Sequence, residues 1–331
     1  MLGKRLGIDL GTASLRAVVR GEGPAITEPS VAARHRRGGY ATAGLAAAEM
    51  AGDAEMEVVR PLGAGRIADR DALAALLHQA VNRVAGRQRI FRPDVVMAIC
   101  PAMGGDDRLA ILEICARVGT RTAYLIDSPV AAAMGAGHLP SGSRGHLVVD
   151  IGAGTVDIAS IVSEGTIAAR TLTTAGDALR DGVAARLEAR HGVALAPATA
   201  EDVVASLACV GPHEERRMPV PVASGAGAEA TAVSVASVEI ADLVDAHARQ
   251  IAHAVTEVLD ETPDPLRRDI LGEGITLCGG GARLEGLDRY LGIQAGCPVT
   301  VAAEPATCVI RGTQAAVENL DVLRRSFMYI R

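Results

Sequence analysis

Aromatic residues are almost missing from this chain of 331 residues, which contains no Trp, two Phe and four Tyr. A folded core must therefore be built from Ala, Val, Leu and Ile side chains. Hydrophobic residues make up 49% of the sequence and charged residues 22%, a balance that excludes global disorder. The length exceeds that of a usual single domain, so we expect two domains or lobes.

Several other signals are absent as well. The six cysteines form no C-x-x-C pair, which excludes the common zinc and redox motifs. We interpret them as small core residues of a protein in a reducing compartment. The eight histidines show no metal-ligand spacing. Because no apolar stretch reaches transmembrane length and the first residues form no signal-peptide core, we expect a cytoplasmic protein. The formal net charge of -6 weighs against nucleic acid as a partner.

The most informative feature present is a pair of matching segments about half a chain apart. One spans residues 7–18 and the other spans residues 148–159. Each has an apolar run that ends in an Asp, then a Gly-rich corner with a Thr, then a second apolar run. Two such loops facing one another would clamp a nucleoside triphosphate with its metal ion. The alternative interpretation is two ordinary hairpins, because β-turns often contain Asp, Gly and Thr.

The residue types in these two loops suit phosphate and a metal ion. Glycine brings backbone N–H groups close to an anion, and the hydroxyls of Thr12, Ser14 and Thr155 can donate to phosphate oxygens. Asp9 and Asp150 would repel phosphate, so they require a cation such as Mg²⁺, which keeps several waters. The candidate contacts are Asp9, Gly11, Thr12, Ala13 and Ser14 in the first loop, and Asp150, Gly152, Ala153, Gly154 and Thr155 in the second.

A third glycine run follows a strand that we predict over residues 274–278. It consists of Gly279, Gly280 and Gly281, with Ala282, and precedes a predicted helix. Exposed N–H groups at such a helix start favour phosphate or a closely packed ribose or base. The three loops together therefore outline one nucleotide site.

The rest of the second half repeats the β/α plan of the first half. Helical spacing predicts a helix over residues 177–190 and a long helix that opens at Ser237. We expect a final helix to begin at Gly312. Residues 193–237 carry no strong pattern and are interpreted as a reduced insertion.

In order and over nearly the whole chain, these segments resemble the bacterial actin MreB family of rod shape-determining proteins, within the actin–Hsp70–sugar-kinase superfold. The individual motifs are short, but their order and spacing together are specific. The matching segments are residues 9–13 (first phosphate loop), 28–31 (following strand), 60–69 (return from the small subdomain), 124–137 (interlobe helix), 150–155 (second phosphate loop), 278–282 (adenosine loop) and 305–313 (C-terminal signature).

The resemblance implies an α/β, actin-like ATPase fold with two duplicated β/α lobes around a nucleotide cleft. Each lobe is expected to carry a small inserted subdomain. The expected boundaries are 1–33, 66–145 and 311–331 for the core of lobe I, 34–65 for its insertion, 146–190 and 238–310 for the core of lobe II, and 191–237 for its reduced insertion.

The resemblance also implies that the chain binds ATP and Mg²⁺ and assembles with itself into filaments. These would lie at the inner face of the cell membrane and would organise cell-wall synthesis and cell shape with cell-wall synthesis or morphogenesis proteins. On the same basis, Gly176 and Glu201 are further nucleotide contacts.

Departures from the family pattern affect hydrolysis more than binding. The family usually has a Glu before the Pro of the interlobe helix, where it positions the attacking water. Here that residue is Ser128, preceded by Asp127. Serine is short and neutral and is therefore a poor base. Asp127 could substitute if the chain bends there, but on a regular strand it would point the opposite way. With Asp150 and Thr155 as the other catalytic candidates, we predict at most a slow Mg²⁺-dependent ATPase.

One loop is a candidate membrane anchor. Ile90 and Phe91 form an apolar tip flanked by Arg87, Arg89 and Arg92. Each nearby Arg would contribute about 1 kcal/mol at an anionic membrane surface, and the resembling family uses a hydrophobic loop at a similar place. The alternative is that Phe91 packs beneath the following strand.

Other functions of the same superfold stay open at this point. The main alternative is a nucleotide-switched scaffold that does not polymerise. It is favoured by Ser128, and also by Val204 and Ser206, which stand where the family usually has a Lys and a Glu, respectively. A small-metabolite kinase would need an acidic base facing a sugar pocket, for which the sequence offers no candidate. A chaperone would need a further substrate-binding domain.

Overall fold

The first half of the chain forms a β-meander, a small inserted sheet and a run of alternating strands and helices. The computed structural model describes residues 3–86, 91–138, 144–162, 165–222, 231–320 and 328–330. Strands of the first half are β1 (Arg5–Leu10), β2 (Ser14–Val19), β3 (Pro24–Pro29), β4 (Ala32–His35), β5 (Tyr40–Ala43), β6 (Met56–Val59), β7 (Leu62–Gly63), β8 (Arg66–Ile67), β9 (Asp94–Ile99) and β10 (Thr122–Asp127). Its helices are α1 (Leu45–Ala48), α2 (Arg70–Ala85), α3 (Gly105–Arg117) and α4 (Ser128–Gly135).

The second half repeats this plan with a different insertion. Its strands are β11 (His146–Ile151), β12 (Val156–Val162), β13 (Gly165–Leu172), β14 (Arg217–Val222), β15 (Thr231–Ala236), β16 (Ile275–Cys278), β17 (Val299–Val301) and β18 (Met328–Ile330). Its helices are α5 (Gly176–His191), α6 (Pro197–Leu207), α7 (Ala241–Glu261), α8 (Asp264–Glu273), α9 (Leu287–Ala295) and α10 (Cys308–Glu318).

Two mixed sheets of the same design form the centres of the two lobes. In lobe I the strand order is β10-β9-β1-β2-β3, with β18 added beside β10, and in lobe II it is β17-β16-β11-β12-β13. In both sheets the first three strands of the lobe pair antiparallel and the next two pair parallel. The predicted duplication and the α/β class are thus confirmed, while the domain boundaries stay predictions.

Aliphatic side chains build the core, as the shortage of aromatic residues predicts. Alternate residues of β9 face opposite sides of its sheet. Val95, Met97 and Ile99 pack with residues of α2 and α3, whereas Val96 and Ala98 pack with α4 and α10. The α4–α10 layer also contacts residues of the lobe II sheet. These two helices therefore lie between the lobes and connect them.

Glycines allow α4 and α10 to approach each other closely. A Cβ atom built on Gly312 would lie 1.7 Å from the carbonyl oxygen of Ala131, and one built on Gly135 would lie 1.8 Å from that of Cys308. Any larger residue would force the helices apart, because the neighbouring atoms belong to backbone. The connection between the lobes is consequently a tight seam of backbone against backbone.

The structure corrects two predictions about secondary structure. The last helix begins at Cys308, not at Gly312, because residues Pro305–Thr307 form a 3₁₀ turn that leads directly into it. Within residues 193–237, for which the composition predicts no regular element, the described residues form α6 and the paired strands β14 and β15. Pro219 and Pro221 hide these strands from sequence reasoning, yet in a two-stranded sheet both can face the open edge.

Candidate functional site

A cleft between the lobes holds the two matching loops opposite each other. Its cavity measures about 730 Å³ and is lined by the β1–β2 turn, the β11–β12 turn and the glycine run after β16. The same hydrogen bond closes both turns. Gly11 N donates to Ser14 O over 3.2 Å, and Gly152 N donates to Thr155 O over 2.8 Å. The two loops are therefore equivalent turns that share one cavity.

The loops approach one another as closely as glycine permits. A Cβ atom built on Gly154 would lie 2.4 Å from Thr12 Oγ1 and 2.8 Å from Thr12 Cβ. The third loop is equally close to the second, because Cβ atoms on Gly279 and Gly281 would each lie 2.3 Å from an atom of Ile151. Glycine at these positions lets the three backbones meet around the cavity.

Charged residues occupy equivalent positions in the two hairpins. Asp9 lies directly opposite Arg16 in the β1–β2 pair, and Asp150 lies directly opposite Asp157 in the β11–β12 pair. Arg16 Nη1 donates to Asp9 Oδ2 over 3.2 Å. Two carboxylates that face each other across a strand pair repel. The lobe II hairpin therefore concentrates negative charge that the lobe I hairpin partly neutralises.

The Asp157 carboxylate is held by four donors. Its Oδ1 atom accepts hydrogen bonds from Thr171 Oγ1 at 2.7 Å and Cys100 Sγ at 3.5 Å. Its Oδ2 atom accepts from Thr155 Oγ1 at 3.1 Å and Ser128 Oγ at 3.2 Å. A carboxylate offers about four lone-pair sites, so this one is fully engaged. Asp157 thus fixes the second loop to the start of the interlobe helix.

Burial raises the pKa of the three carboxyl groups on the two hairpins. The pKa of Asp9 is raised to about 6 by burial, against the opposing effect of Arg16. The pKa of Asp150 is raised well above its ordinary value by burial and then by the charges of Asp157 and Asp9. The pKa of Asp157 is also raised by burial, which outweighs its hydrogen-bond donors. Ionising these groups together costs free energy that a bound cation would recover.

The donor set fits a magnesium ion that is held mainly through water. Among the residues that the structure describes, no group of three or more His, Cys, Asp or Glu side chains is placed to hold a metal ion. Asp9 and Asp150 still offer carboxylate oxygens on opposite walls of the cavity. Mg²⁺ typically keeps several waters and is held by one or two carboxylates together with substrate phosphates. Such an ion would supply positive charge to the phosphates.

Most of the residues predicted to contact a nucleotide line this cavity. They are Asp9, Gly11, Thr12, Ala13, Ser14, Asp150, Gly152, Ala153, Gly154, Thr155, Gly176, Glu201, Gly279, Gly280 and Gly281. Ala282 is 2% exposed and lies outside the lining. The roles of these residues as ligand contacts stay predictions.

The two candidates for positioning the attacking water lie apart. Asp127 ends β10 and accepts a hydrogen bond from Arg108 Nη2 over 2.7 Å, outside the residues that line the cavity. Ser128 begins α4 and lines the cavity, but its hydroxyl proton is engaged by Asp157. The Asp127 carboxylate thus lies outside the cavity, and the Ser128 hydroxyl donates to Asp157. Neither side chain is placed to accept a proton from a water molecule in the cleft.

Arg16 and Asp157 also line the cavity, although the sequence motifs assign no role to either of them. The two-residue period of a β-strand could have indicated both residues, because side chains two positions apart lie on the same face as the predicted phosphate contacts. Arg16 follows Ser14 on one hairpin and Asp157 follows Thr155 on the other. His247, on α7, also lines the cavity, and no motif in the sequence indicated it.

The predicted membrane loop can be compared with the structure at one of its two apolar residues. Ile90 lies outside the described residues, whereas the Phe91 side chain is 49% exposed just before β9. That exposure disagrees with the alternative in which Phe91 packs beneath the strand. Among helices in the described ranges, none has the length and apolar character needed to cross a membrane.

Two duplicated α/β lobes, joined by a central helix pair and facing each other across three glycine loops, define the actin-like class of proteins. The crystal structure of MreB5 of Spiroplasma citri bound to AMPPNP is similar to this chain with a TM-score of 0.86 and 29% identity. The similarity covers 98% of this chain and 99% of that one. The predicted actin-like fold is thereby confirmed.

Sequence comparisons identify the family within that class. The family model described as MreB/Mbl protein matches residues 3–325. The cell shape-determining protein MreB of Escherichia coli (strain K12) is 33% identical over 332 residues, which cover 97% of this chain and 95% of that protein. The cell shape-determining protein Mbl of Bacillus subtilis (strain 168) is 32% identical over 329 residues, with 98% of each chain covered. The chain belongs to the MreB/Mbl family and is an actin-like cytoskeletal protein.

Proposed function

We propose that this chain binds ATP with Mg²⁺ in the cleft and that binding drives its assembly into filaments. The observation that carries the proposal is the meeting of Gly154 and Thr12, which brings two phosphate-type turns together at one cavity. A triphosphate between them would accept hydrogen bonds from both lobes and would hold them closed. The structure of MreB5 bound to AMPPNP supports a nucleotide as the ligand.

Titration of the purified protein with a fluorescent ATP analogue tests the binding step. We expect saturable binding that strengthens when Mg²⁺ is added and that unlabelled ATP competes away. Competition by GTP in the same assay measures selectivity for the base. Failure to detect saturable binding with Mg²⁺ present would overturn the proposal.

Light scattering at increasing protein concentration tests the assembly step. A filament former shows a critical concentration that falls when Mg-ATP is added. The second candidate, a nucleotide-switched scaffold that does not polymerise, predicts binding without scattering. One observation favours this second candidate. Asp127 accepts a hydrogen bond from Arg108, and Ser128 donates one to Asp157. Asp127 and Ser128 are therefore both unavailable for positioning the attacking water.

Hydrolysis is expected to be slow, and Ser128→Ala is expected to change it less than about threefold. A positioned general base contributes a factor of about 10² to 10⁴, but the Ser128 hydroxyl donates to Asp157 and does not act as one. Phosphate release measures the activity of both proteins, with the exposed Ser234→Ala on β15 as a control outside the cavity lining. Wild-type turnover near the ~10 s⁻¹ median of enzymes, or a 100-fold loss in the variant, would contradict this account.

We also propose that the filaments lie on the inner face of the cell membrane. The exposed Phe91 supports this position, and the names of the relatives support a role in cell shape with cell-wall synthesis or morphogenesis proteins as partners. Replacing Ile90 and Phe91 with Ser is expected to abolish co-sedimentation with anionic liposomes. Replacing the exposed Leu109 of α3 with Ser serves as the matched control. Unchanged co-sedimentation of the double variant would exclude this loop as the anchor.

A further inference from the structure

The two hairpins of the cleft are equivalent in backbone but not in charge. Each has an Asp at the end of its first strand, and the residue directly opposite is Arg16 in one hairpin and Asp157 in the other. Had both hairpins carried a second acid, the phosphate end of the cleft would hold four carboxyl groups. Arg16 instead places a permanent positive charge where the duplicated position holds a negative one.

The position of Arg16 suits a role beyond pairing with Asp9. Its side chain is 27% exposed and lines the cavity. One N–H group donates a hydrogen bond to Asp9 Oδ2 over 3.2 Å. A guanidinium carries five N–H donors, so others remain for a phosphate oxygen. The guanidinium opposes, without overcoming, the rise in pKa that burial causes at Asp9 and at Asp150 in the other lobe.

Two other arginines of the cavity lining pair with acids elsewhere, and a third, Arg283, is exposed and follows the third glycine run. Arg180 forms ion pairs with Asp177 and Asp181 on its own helix, and Arg66 lies 3.6 Å from Asp107. Neither of them pairs with the two Asp residues that face the phosphate loops. Arg16, in contrast, pairs with Asp9, which would itself bind the metal ion. The charge of Arg16 is then left for the nucleotide.

We propose that Arg16 is a protein-supplied cation for the phosphates of the bound nucleotide, and that it shares with the divalent metal the task of neutralising their charge. The inference rests on the proposed nucleotide binding in this cleft. Charge-assisted hydrogen bonds from a guanidinium to phosphate are strong and directional. Nucleotide binding by this chain consequently persists, at reduced affinity, after the metal is removed.

The test compares nucleotide affinity with and without metal in wild type, Arg16→Gln and Arg16→Lys. A fluorescent ATP analogue is the probe, in excess Mg²⁺ or in excess EDTA. We expect EDTA to weaken wild-type binding about tenfold and to weaken binding of Arg16→Gln at least about 100-fold, since one strong charged contact corresponds to about a factor of ten or more. In Mg²⁺ the Gln variant should lose less than about fivefold. Arg16→Lys keeps the charge and should fall between the two.

Arg20→Gln is the matched control, because Arg20 follows the same strand but is exposed and lies outside the cavity lining. It should respond to EDTA as wild type does. Equal EDTA responses of wild type, Arg16→Gln and Arg16→Lys would overturn the inference while leaving nucleotide binding intact. Absence of binding by wild type even in Mg²⁺ would instead overturn the proposed function. If Arg16→Gln fails to fold, the Lys variant decides, because loss of the guanidinium fork alone should still increase the EDTA effect.

Discussion

Asp150→Asn is expected to weaken Mg²⁺-dependent nucleotide binding by about 100-fold and, at the same time, to raise the melting temperature of the nucleotide-free protein. Asp150 lies opposite Asp157, and burial together with that neighbouring charge raises its pKa well above the ordinary value. An amide of the same shape removes the repulsion in the free protein. It also removes a charge that holds the metal ion, which costs about 2 to 3 kcal/mol of binding.

The sign of the pH dependence follows from that raised pKa. A carboxyl group whose pKa is raised by folding destabilises the folded state increasingly as the pH rises through the raised value. The stabilisation by Asn should therefore grow as the pH rises above the ordinary pKa of Asp and should vanish at lower pH, where Asp150 carries its proton in both the folded and the unfolded state. Thermal unfolding followed by circular dichroism measures it, and each kcal/mol corresponds to roughly 2–4 °C.

Asp202→Asn provides the control for this pair of effects. Asp202 lies on α6, is exposed, and does not line the cavity. It should change neither the melting temperature nor the affinity for Mg-ATP. A lower melting temperature for Asp150→Asn, or unaltered binding of Mg-ATP, would show that Asp150 is a structural group and not a cation site.

Gly154→Val is expected to abolish nucleotide-dependent assembly and to reduce nucleotide affinity at least about 100-fold. A Cβ atom at this position would lie 2.4 Å from Thr12 Oγ1, so the branched side chain must push the two phosphate loops apart. A misplacement of about 1 Å can cost a factor of about 10² in an organised site. The protein should still fold, because α4 and α10 join the lobes away from this contact.

A graded series separates the loop contact from other effects of the substitution. Gly154→Ala should have a smaller effect than Gly154→Val, because its single added atom displaces Thr12 less than a branched side chain does. Gly182→Ala is the control, since that glycine lies in α5 with no heavy atom within 4 Å of the added Cβ. It should leave binding unchanged and add about 0.5 to 1 kcal/mol of stability. Wild-type affinity in Gly154→Val would refute closure through this contact.

The sequence was sufficient to predict the parts of the fold that repeat. Asp9 and Asp150 end equivalent strands, and a tight glycine turn follows each, so duplication and a shared cavity could be inferred from spacing. The third glycine loop followed from its place between a strand and a helix. Local turn chemistry of this kind is encoded within a few residues, which explains why it is readable.

Interactions across the lobes could not be read in the same way. The engagement of Asp157 by Ser128 joins residues 29 positions apart, and the contact of Gly154 with Thr12 joins loops of different lobes. Such contacts depend on how the two sheets pack against α4 and α10. The helix start at Cys308 was missed for a related reason, since Gly312 is a packing residue within that helix and not its beginning.

The most direct test of the whole account is sedimentation of the purified protein with liposomes, with and without Mg-ATP, beside Gly154→Val. The account predicts that Mg-ATP drives wild type into the pellet and that the variant stays in the supernatant. A wild-type protein that binds nucleotide yet remains in the supernatant would contradict filament assembly at the membrane and would favour the switch that does not polymerise.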